Sequence, residues 1–406
     1  MVDSERRGRS AGIAVDGRRG PRGRAWLALA LALGLAAGCG PPTRDGDAGG
    51  RAAGTGAEAG PVGGPAAAPR EPAAPTRPPD APPDAIKVGY LGLILSNAGI
   101  FLAAERGYFA EEGIAVELIP FDGGPRMVPA LATNEIQVGG GSPGVGLFNA
   151  LQRGIRSKVV ADKASSPPGT VSASMMIRKD LYDGGAITRL EDLRGRTYGL
   201  MSYDSSLEFT LAYHLGLVGM VPPDLSLVEI PNSDLPLAYA NRTLDASWAL
   251  EPISTVLPER GLAVRLLNGA ERLPNQQSSV MMYAEQFAAQ LDPGTRWMIA
   301  YLKGVRDYND AFFAGINREE TISVLEKVGV ITDRAALERY GVGGLNPNGY
   351  VNRQNLQEMH DYFVRKGSIT QPVALDDLVD DRFVAAALAR LGVYESPVFR
   401  DAVWLR

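Results

Sequence analysis

Apolar positions along this chain fall into two regimes. Between residues 86 and 283 short apolar runs alternate with stretches of helical period. The runs are IKVGYLG (86–92), AVELIPF (115–121), IQVGG (136–140), KVVAD (158–162), SMMIRK (174–179), TYGLMS (197–202), SLVEIP (226–231), DASWAL (245–250) and SVMMY (279–283). Several are continuous rather than alternating, which predicts strands covered on both faces. GIFLAAERG (99–107), PGVGLFNALQRG (143–154) and SLEFTLAYHLG (206–216) predict helices between them, each closed by glycine. Strand–helix alternation of this kind predicts an α/β fold with parallel sheets. Beyond Tyr283 only helical patterns remain, notably at 296–315 and 355–367.

The chain before this region is built differently. Seven arginines, Arg6 to Arg24, precede WLALALALGLAAGCG (26–40), which ends beside the single cysteine, Cys39. The apolar run is shorter than the roughly 20 residues a membrane-spanning helix needs. A basic segment, a short apolar stretch and small residues are the parts of a secretory signal peptide. Leu35-Ala36-Ala37-Gly38-Cys39 resembles the bacterial lipobox, with alanine at position 36 where leucine is commoner. That resemblance implies cleavage before Cys39 and lipidation of its thiol. Residues 1–39 are therefore expected to be a lipoprotein signal peptide. Residues 40–85, rich in Pro, Ala and Gly and without an aromatic side chain, are expected to be a disordered tether. Such a composition buries too little to offset its ordering entropy. As a flexible coil it would span on the order of 35 Å. The expected location is the periplasm or the outer face of the cell membrane, held by the lipid.

Charge and composition narrow what the remainder does. The first 84 residues hold eleven arginines and nine acids, which leaves 30 basic and 37 acidic side chains from Ala85 onward. That excess of acid offers no footprint for nucleic acid. With one cysteine in the chain there is no disulfide framework, and His214 and His360 are the only histidines, so no thiolate or histidine metal set is expected. Roughly 320 residues are more than one core usually holds, so two lobes are expected.

Open α/β sheets bind ligands at the carboxyl ends of their strands. Four strand-to-helix turns stand out. LILSNAG (93–99) offers Ser96 and Asn97, and GGGSPGVG (139–146) offers Ser142 as N-cap with Pro143 at the first helical position. MSYDSSLE (201–208) contains a capping box from Ser205 to Glu208, and ALEPIS (249–254) places Glu251 at a helix start. GGSPG (140–144) also fits the G-x-S-x-G nucleophile elbow, but the residue after the nucleophile must lend an N–H, and Pro143 has none. Gly139-x-Gly141-x-x-Gly144 fits the dinucleotide fingerprint, with Asp162 as ribose partner. It stands alone and follows the third strand instead of opening the domain. No catalytic residue, cofactor or metal is expected.

In this order, GIFLAAERGYFAEEGIAVEL (99–118), LATNEIQVGGGSPGVGLFNALQRGIRSKVVAD (131–162), LEDLRGRTYGLMSYDSSLEFTLAYHLGLVG (190–219) and LAYANRTLDASWALEP (237–252) resemble the solute-binding proteins of ABC importers for nitrate, sulfonates, taurine and the thiamine pyrimidine. The resemblance runs from Lys87 to Gly392. It implies the two-lobed type II periplasmic-binding-protein fold, with a ligand cleft between lobes and a helical C-terminal part. Lobe 1 would comprise 86–165 plus 281–406, and lobe 2 residues 166–280. Gln137 stands where the family often has aspartate. The cysteine cluster and histidine of pyrimidine-synthesising relatives are missing, which argues against that enzymatic branch. The implied partners are a small-molecule ligand, an ABC permease with its ATPase, and the membrane through the lipid; a monomer is expected. For the ligand site the turns offer Asn97, Ser142 and Ser205 as hydrogen-bonding groups. They offer Tyr203 and Trp248 for stacking, and Asp204 and Glu251 for donors, with Asp122 nearby. No lysine or arginine lies in these turns. Carboxylates beside aromatic faces suit a nitrogen heterocycle or an amine rather than nitrate or a sulfonate. Two readings stay open beside this one: that Asp204 and Glu251 only cap helices, and that the chain is an enzyme or a ligand-presenting sensor on the same fold.

Overall fold

A computed structural model describes residues 81–121, 124–337, 339 and 341–399. The expected signal peptide, Cys39, Asp122 and the tether as far as residue 80 lie outside the described residues.

Among the described residues, ten strands build two five-stranded sheets. In chain order they are β1 (Asp84–Leu91), β2 (Ile114–Phe121), β3 (Val138–Gly141), β4 (Lys158–Ser166), β5 (Ala173–Arg178), β6 (Thr197–Leu200), β7 (Ser226–Glu229), β8 (Ala246–Leu250), β9 (Ala263–Asn268) and β10 (Gln276–Tyr283). The first sheet has the order β2-β1-β3-β10-β4 and the second β7-β6-β8-β5-β9. Each contains three parallel strands flanked by two from the crossings. β10 runs antiparallel to both β3 and β4, and β5 antiparallel to both β8 and β9. The expectation of parallel sheets is therefore corrected to two mixed ones. The chain leaves the first sheet by β4 and returns by β10, and a returning strand enters against the direction of its neighbours. The last strand of the second sheet, β9, has no counterpart among the predicted runs, because AVRLLN carries an arginine and is only half covered.

Five helices position the site: α1 (Ala98–Glu105), α2 (Val145–Gln152), α3 (Ser206–Gly216), α4 (Leu291–Asn309) and α5 (Arg353–Lys366). The first sheet packs against α1 and α4 in a core that includes Phe101, Phe109, Tyr283, Trp297 and Tyr301. Full burial of each such side chain contributes about 1.5–3 kcal/mol. The second sheet has its own clusters around Met175, Tyr198 and Trp248, and around Met176 and Tyr239. Separate cores make two lobes. The C-terminal helices extend the first of them, since Leu356, Met359 and Phe363 of α5 join its core.

Three boundaries differ from the sequence reading. β1 starts at Asp84, inside the expected tether, and Asp84 is tied down by the Arg296 guanidinium of α4. β4 runs on past Asp162 to Ser166, which draws Lys163 and two serines into a buried strand. α2 starts at Val145 with Gly144 at its N-cap, so Ser142 does not cap it; the Ser142 hydroxyl instead accepts from the N–H of Ser206, the first residue of α3, at 3.2 Å.

Candidate functional site

The lobes meet where the turn after β3 touches the turn after β6. Val145 N–H donates to the Asp204 carbonyl at 2.9 Å, and Ser206 N–H to the Pro143 carbonyl at 3.1 Å. Gly144 makes this approach possible: a Cβ there would lie 2.3 Å from the Asp204 carbonyl oxygen. Ser142 Oγ and Ser206 Oγ are 2.7 Å apart, and Ser206 Oγ also donates to the Ser278 carbonyl at 2.9 Å. Further out, Lys366 at the end of α5 bonds Asp204 Oδ1 at 2.8 Å and Glu208 Oε1 at 2.6 Å. Tyr362 and Ser368 add hydroxyl donors to Glu208 and Asp204.

Behind this clasp lies a cleft of about 110 Å³ of room for water centres, where about 10–15 Å³ already holds one water. The first lobe contributes Leu91, Leu95, Ser96, Ser142 and Lys163, and the second Met201, Leu207, Trp248, Leu250 and Glu251. Serines 166, 172, 278 and 279 line it where the crossing strands pass, and Gly341, Gly343, Gly344, Leu345 and Tyr308 join the lining. The wall is mostly apolar, with hydroxyls spread around it and one charged group from each lobe.

Of the seven residues expected at a ligand site, three line the cleft. Ser142 does, though its hydroxyl is engaged with Ser206. Trp248 does, packed on one side by His214 with ring centroids 5.3 Å apart. Glu251 does, 5 % exposed; Oε1 accepts from the Thr255 hydroxyl at 3.0 Å and pairs with Arg265 at 3.4 Å. Among the described residues its Oε2 accepts no hydrogen bond of normal geometry. Burial pushes the Glu251 carboxyl above its ordinary pKa, against the pull of the Ser254 and Thr255 hydroxyls, Arg265 and the Gly341 amide.

The other four lie elsewhere. Asn97 is fully buried and donates to the Leu91 and Gly92 carbonyls, so it braces the loop that carries Ser96 into the cleft. Tyr203 is turned outward and donates to the Leu227 carbonyl. Asp204 sits at φ 53° with its carboxylate on Lys366 and Ser368. Ser205 is the N-cap of α3, but its hydroxyl donates to the Ser202 carbonyl and caps nothing; Glu208 reaches the Asp204 N–H at 2.7 Å instead. The predicted capping box is thus replaced by a link one residue earlier.

The sequence reading missed Lys163, which is 1 % exposed and lines the cleft with its Nζ 3.1 Å from Ser96 Oγ. Its neighbour Asp162 is equally buried on the opposite side of β4, as strand alternation requires. Asp162 Oδ1 accepts from Gln277 at 2.6 Å and Oδ2 from the Asn346 N–H at 2.7 Å. Burial pulls the Lys163 ammonium down to about 7, and pushes the Asp162 carboxyl up to about 7 against those hydrogen bonds. The two histidines are packed, His214 against the Thr210 carbonyl and His360 between Asp361 and the Val373 N–H.

Residues 95–308 match a model of the NMT1/THI5-like family. The chain belongs to that family. The region matched starts at the loop after β1 and ends in α4, and so contains most of the cleft. A "Putative binding protein" of Brucella abortus (strain 2308) is 23 % identical over 301 residues, which cover 71 % of this chain and 88 % of that protein. Among solved structures, the fold matches the alkanesulfonate-binding protein SsuA of Xanthomonas axonopodis pv. citri bound to MOPS. Its TM-score is 0.59 at 20 % identity, with 74 % of this chain and 99 % of that one covered. The periplasmic nitrate-binding protein NrtA of Synechocystis PCC 6803 matches with a TM-score of 0.62 at 14 % identity, covering 77 % and 90 %. These likenesses establish the two-lobed periplasmic-binding-protein fold.

Proposed function

We propose that this chain is the extracytoplasmic solute-binding component of an ABC importer, a monomer anchored to the membrane by lipid on Cys39 and held off it by the tether. The named functions of its relatives and structural neighbours support binding and delivery over catalysis. So does Pro143, which cannot supply the amide that a Ser142 nucleophile would need. The first lobe, in this reading, is 86–165 plus 281–406 and the second 166–280, with β10 belonging to the first sheet from Gln276 onward. The lobes close on a small organic nutrient, and ligand favours closure only through contacts it makes in the closed form. A permease with its ATPase then takes the solute from the closed protein.

The observation that carries this reading is the cleft itself, apolar in the main and furnished with polar groups from both lobes. Trp248 and the leucines suit an aromatic or apolar body, and Glu251 suits an amine or ring N–H. Nitrogen-bearing aromatic compounds such as pyrimidines are the favoured ligands. Isothermal titration calorimetry with a pyrimidine, an aromatic amine, taurine and nitrate tests the class. A nitrogenous aromatic should bind and nitrate should not; binding of nitrate or taurine alone would refute it. Glu251→Gln keeps the shape and removes the charge, and should weaken the aromatic ligand about tenfold, ~1.4 kcal/mol. Unchanged affinity would remove Glu251 from the site.

A further inference from the structure

The charges in the two lobes are provided for unequally. Glu251 has Thr255 and Arg265, and Asp204 and Glu208 have Lys366. Asp162 is satisfied by Gln277 and Asn346. Lys163 has only the neutral Ser96 hydroxyl, and among the described residues no carboxylate oxygen lies within 4.0 Å of its Nζ. Its stem is held in place: Gly140 leaves a groove where a Cβ would come within 2.8 Å of Lys163 Cδ and Cε. A fixed, buried ammonium with no carboxylate bonded to it, drawn only by the charge of Asp162 on the other side of β4, costs stability that packing alone does not return. Here it borders an open cleft, where an incoming anion would meet it.

We infer that the ligand carries an acidic group, a carboxylate or sulfonate, and that Lys163, oriented by Ser96, is the residue that recognises it. This rests on the solute-binding reading and narrows its nitrogenous aromatic ligands to those that also bear an acid: an acid for Lys163 on the first lobe, an aromatic body, and a donor for Glu251 on the second. A ligand of that kind touches both lobes through opposite charges, which ties recognition to closure. It also explains why both signs of charge enter a mostly apolar cavity. Burial lowers the Lys163 pKa to about 7 against the pull of Asp162, so the ligand-free protein holds this proton weakly, and an anion bound beside it restores it.

The test strips the full chain of bound molecules by unfolding and refolding, exposes it to a small-molecule extract of bacterial cells, and identifies what is retained by mass spectrometry. Wild type should retain a species whose mass and fragmentation show a carboxylate or a sulfonate, and which of the two settles the acid. Lys163→Met should retain at least about tenfold less of it. Ser96→Ala, which keeps the charge, should lose less. Melting of the ligand-free forms supplies a second readout, since replacing an unpaired buried charge by an apolar isostere is expected to raise the melting temperature. A retained molecule without an acidic group, or equal retention by a Lys163→Met protein that melts no lower than wild type, would overturn the inference. Should Lys163→Met melt lower, the chemistry of the wild-type ligand decides: an acidic group supports the inference and its absence overturns it. Wild type that retains nothing would count against solute binding itself.

Discussion

The turn 201–208 and the strand β4 make opposite use of charge. The turn is polar and partly exposed, and its carboxylates Asp204 and Glu208 reach across to Lys366 on α5. β4 is buried from Val159 to Ser166, yet holds Asp162 and Lys163 side by side, one saturated by amides and the other open to the cleft. Asp204, partly exposed, pairs with Lys366 in a contact that is inexpensive to form and break, and the buried Glu208 takes the same lysine as its partner. A charge inside a strand has few candidates within reach, so one left without a partner is conspicuous. The turn clasps the lobes together, and the strand supplies the ligand's counter-charge.

The clasp is where the largest effect is expected. Gly144 has φ −178°, which any residue adopts, so Gly144→Val introduces a clash with the Asp204 carbonyl without backbone strain. The lobes must then move apart, and affinity for the retained ligand should fall on the order of a hundredfold, ~2.7 kcal/mol. The melting temperature should change by only a few degrees. Unchanged affinity by calorimetry would show that contact between these turns is not part of the bound state.

β4 predicts a pH signature in the ligand-free protein. An unfolded aspartate ionises at about pH 4, whereas Asp162 is pushed up to about 7 in the fold. Between those values the folded state keeps a proton that the unfolded state has lost, so stability falls as pH rises. For Lys163, pulled down to about 7, the unfolded chain is the one that holds the extra proton, up to about pH 10, and stability rises again with pH. Melting temperatures from pH 5 to 9 should therefore show a dip near neutrality, and Lys163→Met should flatten its alkaline side. A monotonic profile unaltered by that substitution would mean that the lysine keeps its charge on a partner.

The smallest effect is expected in the turn. The Asp204 side chain is 43 % exposed, and its pair with Lys366 resembles other surface pairs. Asp204→Asn should cost under about 1 kcal/mol of stability, and ligand affinity should stay within about threefold, ~0.7 kcal/mol. A tenfold loss in calorimetry would return Asp204 to the ligand site.

Sequence reasoning reached the lobes and missed the cation for connected reasons. Buried strands such as SMMIRK and DASWAL announce themselves through continuous apolar runs, and these placed most of both sheets. Trp248 and Glu251 were legible because they sit at a strand end, where α/β sheets gather ligands. Tyr203 and Asp204 met the same criterion, but Asp204 takes a left-handed backbone conformation and its carboxylate goes to Lys366, a residue some 160 positions away that no local pattern reveals. Lys163 was hidden by the opposite error. The apolar run KVVAD ends at Asp162, and the following Lys163 and serines look like the start of a loop, whereas pairing with β10 carries the strand on to Ser166. Two adjacent ionisable residues directly after a buried run were the available signal.

The claim that the ligand sits between the lobes is tested most directly by locking them. Ser142 Oγ and Ser206 Oγ are 2.7 Å apart across the junction. A chain carrying Ser142→Cys and Ser206→Cys, with Cys39→Ser to remove the only native thiol, can be joined by a disulfide there. Exchange of the bound ligand against an isotope-labelled copy, followed by mass spectrometry, should stall in the oxidised protein and resume on reduction. Exchange at the same rate in both forms would place the ligand somewhere other than the cleft.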